Sequence, residues 1–358
     1  MANGIDIHVI TQDDCIESGC IDFPSALRMT EKALMDYSKG KILFPDKISQ
    51  IFDETSQNRI NCLPATLLEE KICGVKWVSV FPTNAAISLQ NLTAVIILSS
   101  LDNGFPVAFM EGTLCSNIRT ATISAVAAKY FANPKSEKIG FVGAGQQARF
   151  HFMALKSLYP SITECYVASR TSKSEDDFIS DLSKLYPDTE FIACGSDYRR
   201  AVSGMDIFVS AISGQSPIIQ AEWITSGSFY SHVGGWEDSY DVPQKADKII
   251  CDDWDSVKHR TQTLSRAYML GFIDDGNITC NLPDAVSGKY KNEYCPDEFV
   301  YFNAVGLSYV DVALANYMFK RCKEQNHSRI VTLQGDSLFK SITEKWCENG
   351  NFGGNSML

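Results

Sequence analysis

KIGFVGAGQQA, residues 138–148, is the stretch on which the reading of this chain turns. KIGFV has the apolar, β-rich composition of a strand covered on both faces, and it runs straight into Gly143-Ala-Gly145-Gln-Gln-Ala148, which fits G-x-G-x-x-[GA]. The first glycine permits a tight turn. The second lets backbone approach a pyrophosphate, and the small third residue lets strand and helix pack closely. QARFHFMALKSLYP continues as a helix whose first turn, with Gln146 and Gln147, offers free N–H groups and a positive dipole end to phosphate. Gly143, Gly145, Gln146 and Gln147 are therefore expected to bind a dinucleotide.

Downstream the rhythm repeats. CYVASR, EFIACG, DIFVSAIS, SFYSHVGG and KIICDDW read as strands, and helical stretches such as SEDDFISDLSKLYP separate the first of them. Strands alternating with helices predict a parallel, doubly wound sheet, so residues 133–305 are expected to form a Rossmann domain. Upstream the pattern differs. Residues 22–40 carry apolar positions at helical spacing, RINCLPATL and KICGVKWVSVFP read as strands, and TAVIILSSLDNGFPVAFME reads as a hairpin turning on Asn103-Gly104. Residues 114–132 follow as a helix rich in small side chains. GLSYVDVALANYMFKRCKEQ, after residue 300, predicts one more amphipathic helix that returns to this first unit, and NGNFGGNSML reads as a frayed tail. The fold class is α/β, a Rossmann doubly wound domain plus an α+β substrate-binding and dimerisation domain made of residues 1–132 and 306–350.

Cofactor choice depends on the end of the second strand of the alternating series. An acid there would accept from the ribose 2′-OH of NAD. The chain instead has Ser169-Arg170-Thr171, with Lys173 nearby, a guanidinium and hydroxyls suited to a 2′-phosphate, so NADP(H) is favoured over NAD(H). Thr120 and Ser213 complete the expected cofactor-binding set. In the first domain Arg59, Lys76 and Arg119 sit in otherwise apolar contexts. An arginine can clamp a carboxylate with two hydrogen bonds, and a buried lysine has an easily lowered pKa. Each could also pair with a surface acid.

The bulk numbers exclude some classes. With 43 acidic against 32 basic residues, a net charge of −11 argues against nucleic-acid or anionic-membrane partners. No apolar run suits a membrane span, and the opening lacks a signal-peptide pattern, so a cytoplasmic protein is expected. The twelve cysteines contain no C-x-x-C pair and read as reduced core thiols; the five histidines are scattered, and no metal site is expected.

GVKWVS, the run MEGTLCSNIRTATISAVAAKY after the hairpin, and FVGAGQQA together resemble the ornithine cyclodeaminase/mu-crystallin family, over about residues 55–325. The resemblance implies a homodimeric NAD(P)-dependent oxidoreductase of amino-acid C–N bonds. It implies that Arg59, Lys76 and Arg119 hold a substrate carboxylate and that Lys76 assists proton transfer. Cyclodeaminases of the family carry a GGD-type segment after the fifth Rossmann strand. This chain has Gly234-Gly235-Trp236-Glu237-Asp238, so the acid role falls to Glu237 or Asp238, or the chemistry differs. KADKIICDDWDSVKHRTQTLSRAYMLGFI is similar to the branch that cleaves N-(2-amino-2-carboxyethyl)-L-glutamate to 2,3-diaminopropionate and 2-oxoglutarate, a branch that also lacks the cyclodeaminase Asp and is expected to use NAD. The alternatives are a ketimine reductase, amino-acid dehydrogenase or cyclodeaminase of the same family, or an NADPH-dependent small-ligand binding protein.

Overall fold

The computed structural model describes residues 4–53, 55–212, 214–335 and 338–349. The chain begins with β1 (Ile5–Ile10), α1 (Gln12–Glu17), α2 (Phe23–Ser38), β2 (Ile42–Leu43), β3 (Ile48–Asp53), β4 (Asn58–Leu67), β5 (Ile72–Val80), β6 (Leu92–Ser100), β7 (Pro106–Glu111) and α3 (Thr113–Phe131). It continues through β8 (Lys138–Val142), α4 (Gln146–Leu158), β9 (Glu164–Ala168), α5 (Ser172–Leu185), β10 (Glu190–Ala193), β11 (Ile207–Ser210), β12 (Gln215–Ile219), β13 (Phe229–His232), β14 (Trp236–Asp238), α6 (Asp241–Lys245) and β15 (Lys248–Cys251). Then come α7 (Trp254–Val257), α8 (Thr263–Met269), β16 (Ile278–Asn281), α9 (Leu282–Val286), β17 (Val300–Asn303), α10 (Ser308–Glu324), β18 (Arg329–Gln334) and α11 (Leu338–Asn349).

One sheet has the order β18-β1-β7-β6-β5-β4-β2, with β3 also on β4. Its pairs are antiparallel except β1 with β7. Burial alternates along β4 and β5 because the sheet buries one face under helices and leaves the other open. Gly74 of β5 shows how close the cover lies: a Cβ there would sit 2.8 Å from Val312 Cγ2 of α10. The helix thus packs directly on the strand that carries Lys76.

The second sheet is wholly parallel, in the order β10-β9-β8-β11-β13-β17-β15-β16. The Rossmann order reverses between β8 and β11, which opens the ligand crevice at their carboxyl ends. The helix between the sheets is α3, buried on nearly every side, which explains its small-residue composition and weak periodicity.

Several expectations change in detail. The hairpin at Asn103-Gly104 is longer than two residues: Ser100 donates to Phe105 O, and Gly104 (φ +77°) donates back to Ser100 O. Asn103 accepts from Phe105 N, so the pair still makes the turn inside a wider loop. SFYSHVGG and KIICDDW are both strands, but β17 lies between them, drawn from VYFN, too short a run to announce itself. After Trp254 the chain forms two short helices, α7 and α8, separated around Arg260. The edge pair β1–β18 and the helix α11 were not foreseen, and the tail expected to fray falls, beyond Asn349, outside the described residues.

Candidate active site

Strand β5 turns Lys76 toward the covered face, where it is almost fully buried. Its Nζ donates to Asp311 Oδ1 at 2.7 Å and to Ser116 Oγ at 3.3 Å. Arg119 of α3 donates through Nε to the same Asp311 oxygen at 2.9 Å. Burial, then the neighbouring Arg119, push the Lys76 amine down to about 8, while Asp311 opposes them. The other Asp311 oxygen has no hydrogen-bond partner. Asp311 thus serves two cations with one oxygen.

The Arg119 fork faces the end of the second sheet. A Cβ at Gly306 (φ +95°) would lie 2.5 Å from Arg119 Nη1, so no other residue fits there without displacing the guanidinium. Just before, Asp252 at the end of β15 accepts from the N–H groups of Val305 and Gly306 at 2.8 and 2.7 Å. Burial raises the Asp252 carboxyl to about 6.

Further positive charge gathers at this junction. Lys47, between β2 and β3, is pushed down to about 7 by burial and by the cations Arg260, Arg59, Lys76 and Arg119. Arg260 keeps a buried Nε without a hydrogen-bond partner. Arg59 of β4 donates Nη1 to Gln57 O at 2.9 Å. The structure thus brings together the three cations expected from sequence, and adds Lys47, Arg260 and the carboxylate Asp311. Asp311 had a readable signal, an acid between valines on the apolar face of a helix. Lys47 had none, since it lies in a short loop that only the fold brings near β4.

The glycine turn is built as its residues require. Gly143 has φ +108°, and a Cβ there would approach Ala211 O to 2.7 Å. A Cβ on Gly145 would meet nothing within 4 Å. Helix α4 has no side-chain cap, so its first N–H groups remain for a ligand. Arg149 fastens the loop by donating to Ala144 O at 2.6 Å. Gln146 is exposed, while Gln147 Nε2 donates to Asn117 Oδ1 at 2.7 Å and ties α4 to α3. Thr120 is buried and donates to Ser116 O at 2.7 Å. These features suit a phosphate-bearing dinucleotide.

At the end of β9 the hydroxyl of Ser169 turns inward to Thr171 O, and Thr171 caps α5. Lys173 is held by Asp177 at 2.8 Å, and Arg170 is exposed with no ion pair among the described residues. The nearest acid, Glu175, is buried and accepts from the N–H groups of Ser169 and Gly195. Ser213 lies outside the described residues.

A model of the ornithine cyclodeaminase/mu-crystallin family matches residues 8–326. The chain belongs to that family. Among its curated relatives is an alanine dehydrogenase of Archaeoglobus fulgidus, 28% identical over 89% of this chain and 96% of the relative. Another is the N-((2S)-2-amino-2-carboxyethyl)-L-glutamate dehydrogenase of Staphylococcus aureus, 25% identical over 77% of this chain and 82% of the relative. The solved Δ1-pyrroline-2-carboxylate reductase of Thermococcus litoralis, in complex with NADH and L-proline, superposes with a TM-score of 0.86 at 26% identity, covering 90% of this chain and 99% of that one. An archaeal alanine dehydrogenase dimer with bound NAD gives 0.84 at 26% identity, over 92% and 100%. These relatives are dehydrogenases and reductases, and the chain is an enzyme of that class.

Within this family the segment 234–238 is the departure. Trp236, which the family resemblance sets against the cyclodeaminase Asp, stacks on Tyr240 and lies under the Arg266 guanidinium at 4.9 Å. Glu237 is fully buried. Its oxygens accept from Ile212 N at 2.7 Å, Ser210 Oγ at 2.5 Å and Gly234 N at 3.1 Å. Burial raises its pKa, against the pull of His232 and these donors. Asp238 is also buried and lies 3.2 Å from His232 Nε2. Burial disfavours the charged imidazole, but Asp238 and Glu237 outweigh it and raise the His232 pKa.

Proposed function

We propose that this enzyme uses a nicotinamide dinucleotide to oxidise the C–N bond of N-(2-amino-2-carboxyethyl)-L-glutamate, releasing 2,3-diaminopropionate and 2-oxoglutarate. The observation that carries the reading is the gathering of Arg59, Lys76, Arg119 and Arg260 around Lys47, whose amine is pushed down by burial and then by these cations. So much positive charge on an acidic chain fits a tricarboxylate better than a monocarboxylate such as proline or alanine. The similarity to the staphylococcal dehydrogenase supports the same choice.

Gly143, Gly145, Gln146, Gln147 and the first turn of α4 would hold the pyrophosphate, and Thr120 and Ser213 are further candidates to bind the cofactor. Ser169, Arg170 and Thr171 receive the adenosine end, and the unpaired Arg170 favours NADP(H). When bound, the nicotinamide accepts the hydride from the substrate Cα. Arg59 and Arg119 clamp the α-carboxylate and fix that Cα–H. The nitrogen lone pair closes the C=N bond as hydride leaves. Water then adds to the carbon and gives its proton to Lys76 Nζ. The C–N bond then breaks as the new hydroxyl gives up its proton to become the ketone, and the departing amine takes up that proton. Asp238 assists proton movement in our reading, whereas Glu237, spent on the loops at 212 and 234, positions them.

A homodimer is part of the proposal. Trp77, Ile97 and Phe109 stand on the uncovered face of the first sheet, 42%, 38% and 39% exposed, a surface suited to a second copy. The test is a nicotinamide absorbance assay with NAD and NADP against N-(2-amino-2-carboxyethyl)-L-glutamate, alanine and proline. Reduction with the tricarboxylate alone is expected. Faster turnover of a simple amino acid would move the reading to an alanine or pyrroline-carboxylate type of enzyme.

A further inference from the structure

Far from the cation-lined cleft, the end of α1 and the second half of α10 bring Cys15, Cys20 and Cys322 together. All three are buried, with their sulfur atoms within 4.8 Å of one another. Cys322 Sγ lies 4.0 Å from both Cys15 Sγ and Cys20 Sγ. We propose that these thiols form a binding site for a soft divalent cation of the zinc class, which pins the amino-terminal segment to α10.

The spacing argues for a metal. Zinc–sulfur bonds of about 2.3 Å in a tetrahedron set sulfur–sulfur edges of about 3.8 Å. A disulfide would require about 2.05 Å and would leave the third thiol without a role. The turn between the first two cysteines is shaped to place them side by side. Gly19 adopts φ +69°, and Cys20 N donates back to Cys15 O at 2.9 Å. Arg321 locks this turn by donating to Ser18 O at 2.6 Å. A Cβ at Gly19 would come within 2.9 Å of Arg321 Nη2, so the glycine and the arginine fit only together.

The fourth coordination position would fall to water, since the cluster among the described residues consists of these three thiols alone. A surface groove bordered by Gly19, Asp22 and Arg321 lies beside the turn that carries Cys20. The sequence hid this site because Cys322 lies 302 residues after Cys20.

The test uses the full-length protein purified under reducing conditions. Elemental analysis and zinc titration should give stoichiometric zinc, and cobalt in its place should give a thiolate-to-metal charge-transfer band. Binding should be lost in Cys15→Ser and Cys322→Ser and kept in Cys347→Ser, whose cysteine is exposed on α11. Chelation of the wild type should lower its Tm. No zinc or cobalt binding to the reduced wild type would overturn the proposal, and so would binding that survives both serine substitutions. The wild-type titration decides even if a variant does not fold. A failed dehydrogenase assay has no bearing on it.

Discussion

The protein has two buried ionic clusters, and they are near mirror images in charge. At Lys76, Arg119 and Asp311, two cations share one carboxylate oxygen, with Lys47, Arg59 and Arg260 close by. At His232, Glu237 and Asp238, two carboxylates share one imidazole. The difference lies in what is left over. The first cluster keeps unused donors, including the buried Arg260 Nε, and so has room for an anion. In the second, Glu237 is consumed by backbone and hydroxyl donors, and Asp238 lies against the His232 ring. An excess of one charge marks a ligand site when its polar atoms are unspent; where they are spent, it marks a brace.

The strongest way to break this contrast is Asp311→Asn. It leaves Lys76 and Arg119 buried without their carboxylate, and a loss of about 3–5 kcal/mol is expected in denaturant unfolding. A loss under 1 kcal/mol would mean that solvent, and not Asp311, balances these cations.

Lys76→Met comes next. It should lower kcat/KM by about 10²-fold or more while cofactor affinity, read by fluorescence titration, stays in place. Retained turnover would remove Lys76 from proton transfer. In the wild type, amine oxidation needs neutral Lys76, so kcat/KM should rise with pH through about 8 and then level. The reverse reaction needs the protonated form and should fall over the same range. A flat profile in both directions would count against the assignment.

Glu237→Gln should cost about 1–3 kcal/mol of stability and leave kcat within a few-fold, because the side chain holds loops and touches no reacting atom in this reading. Asp238→Asn should do the opposite, lowering kcat more than stability. If the two variants behave alike, the distinction between site and brace fails.

The smallest effect belongs to Arg170→Gln. The ratio of kcat/KM for NADP over NAD should fall about tenfold, equivalent to about 1.4 kcal/mol. An unchanged ratio would place Arg170 in solvent only.

Much of this was legible because local chemistry dictated it. The turn from Gly143 to Ala148 announces itself through the backbone it requires, and Lys76 through its apolar neighbours in GVKWVS. What stayed hidden depends on long-range closure. Strand β17 is four residues long and gains its place only by pairing with β13 and β15. Lys47 enters the site because its loop folds over β4, and Asp311 because α10 returns to the first sheet. Glu237 and Asp238 could be named from sequence but not told apart, since the backbone donors that separate them come from residues 212 and 234.

The return of α10 has a consequence for how the chain is made. The carboxylate that neutralises Lys76 and Arg119 is synthesised 235 residues after Lys76. Until then a nascent first sheet holds buried cations without a counter-ion, and its β5 face lacks the cover that Val312 gives Gly74. The amino-terminal half should therefore stay incompletely packed until α10 has been made, reversing the usual order in which first-made domains fold first. Fragments ending at residue 305 should be cleaved rapidly by protease, and fragments extended through residue 334 should resist; equal resistance would refute this order of assembly.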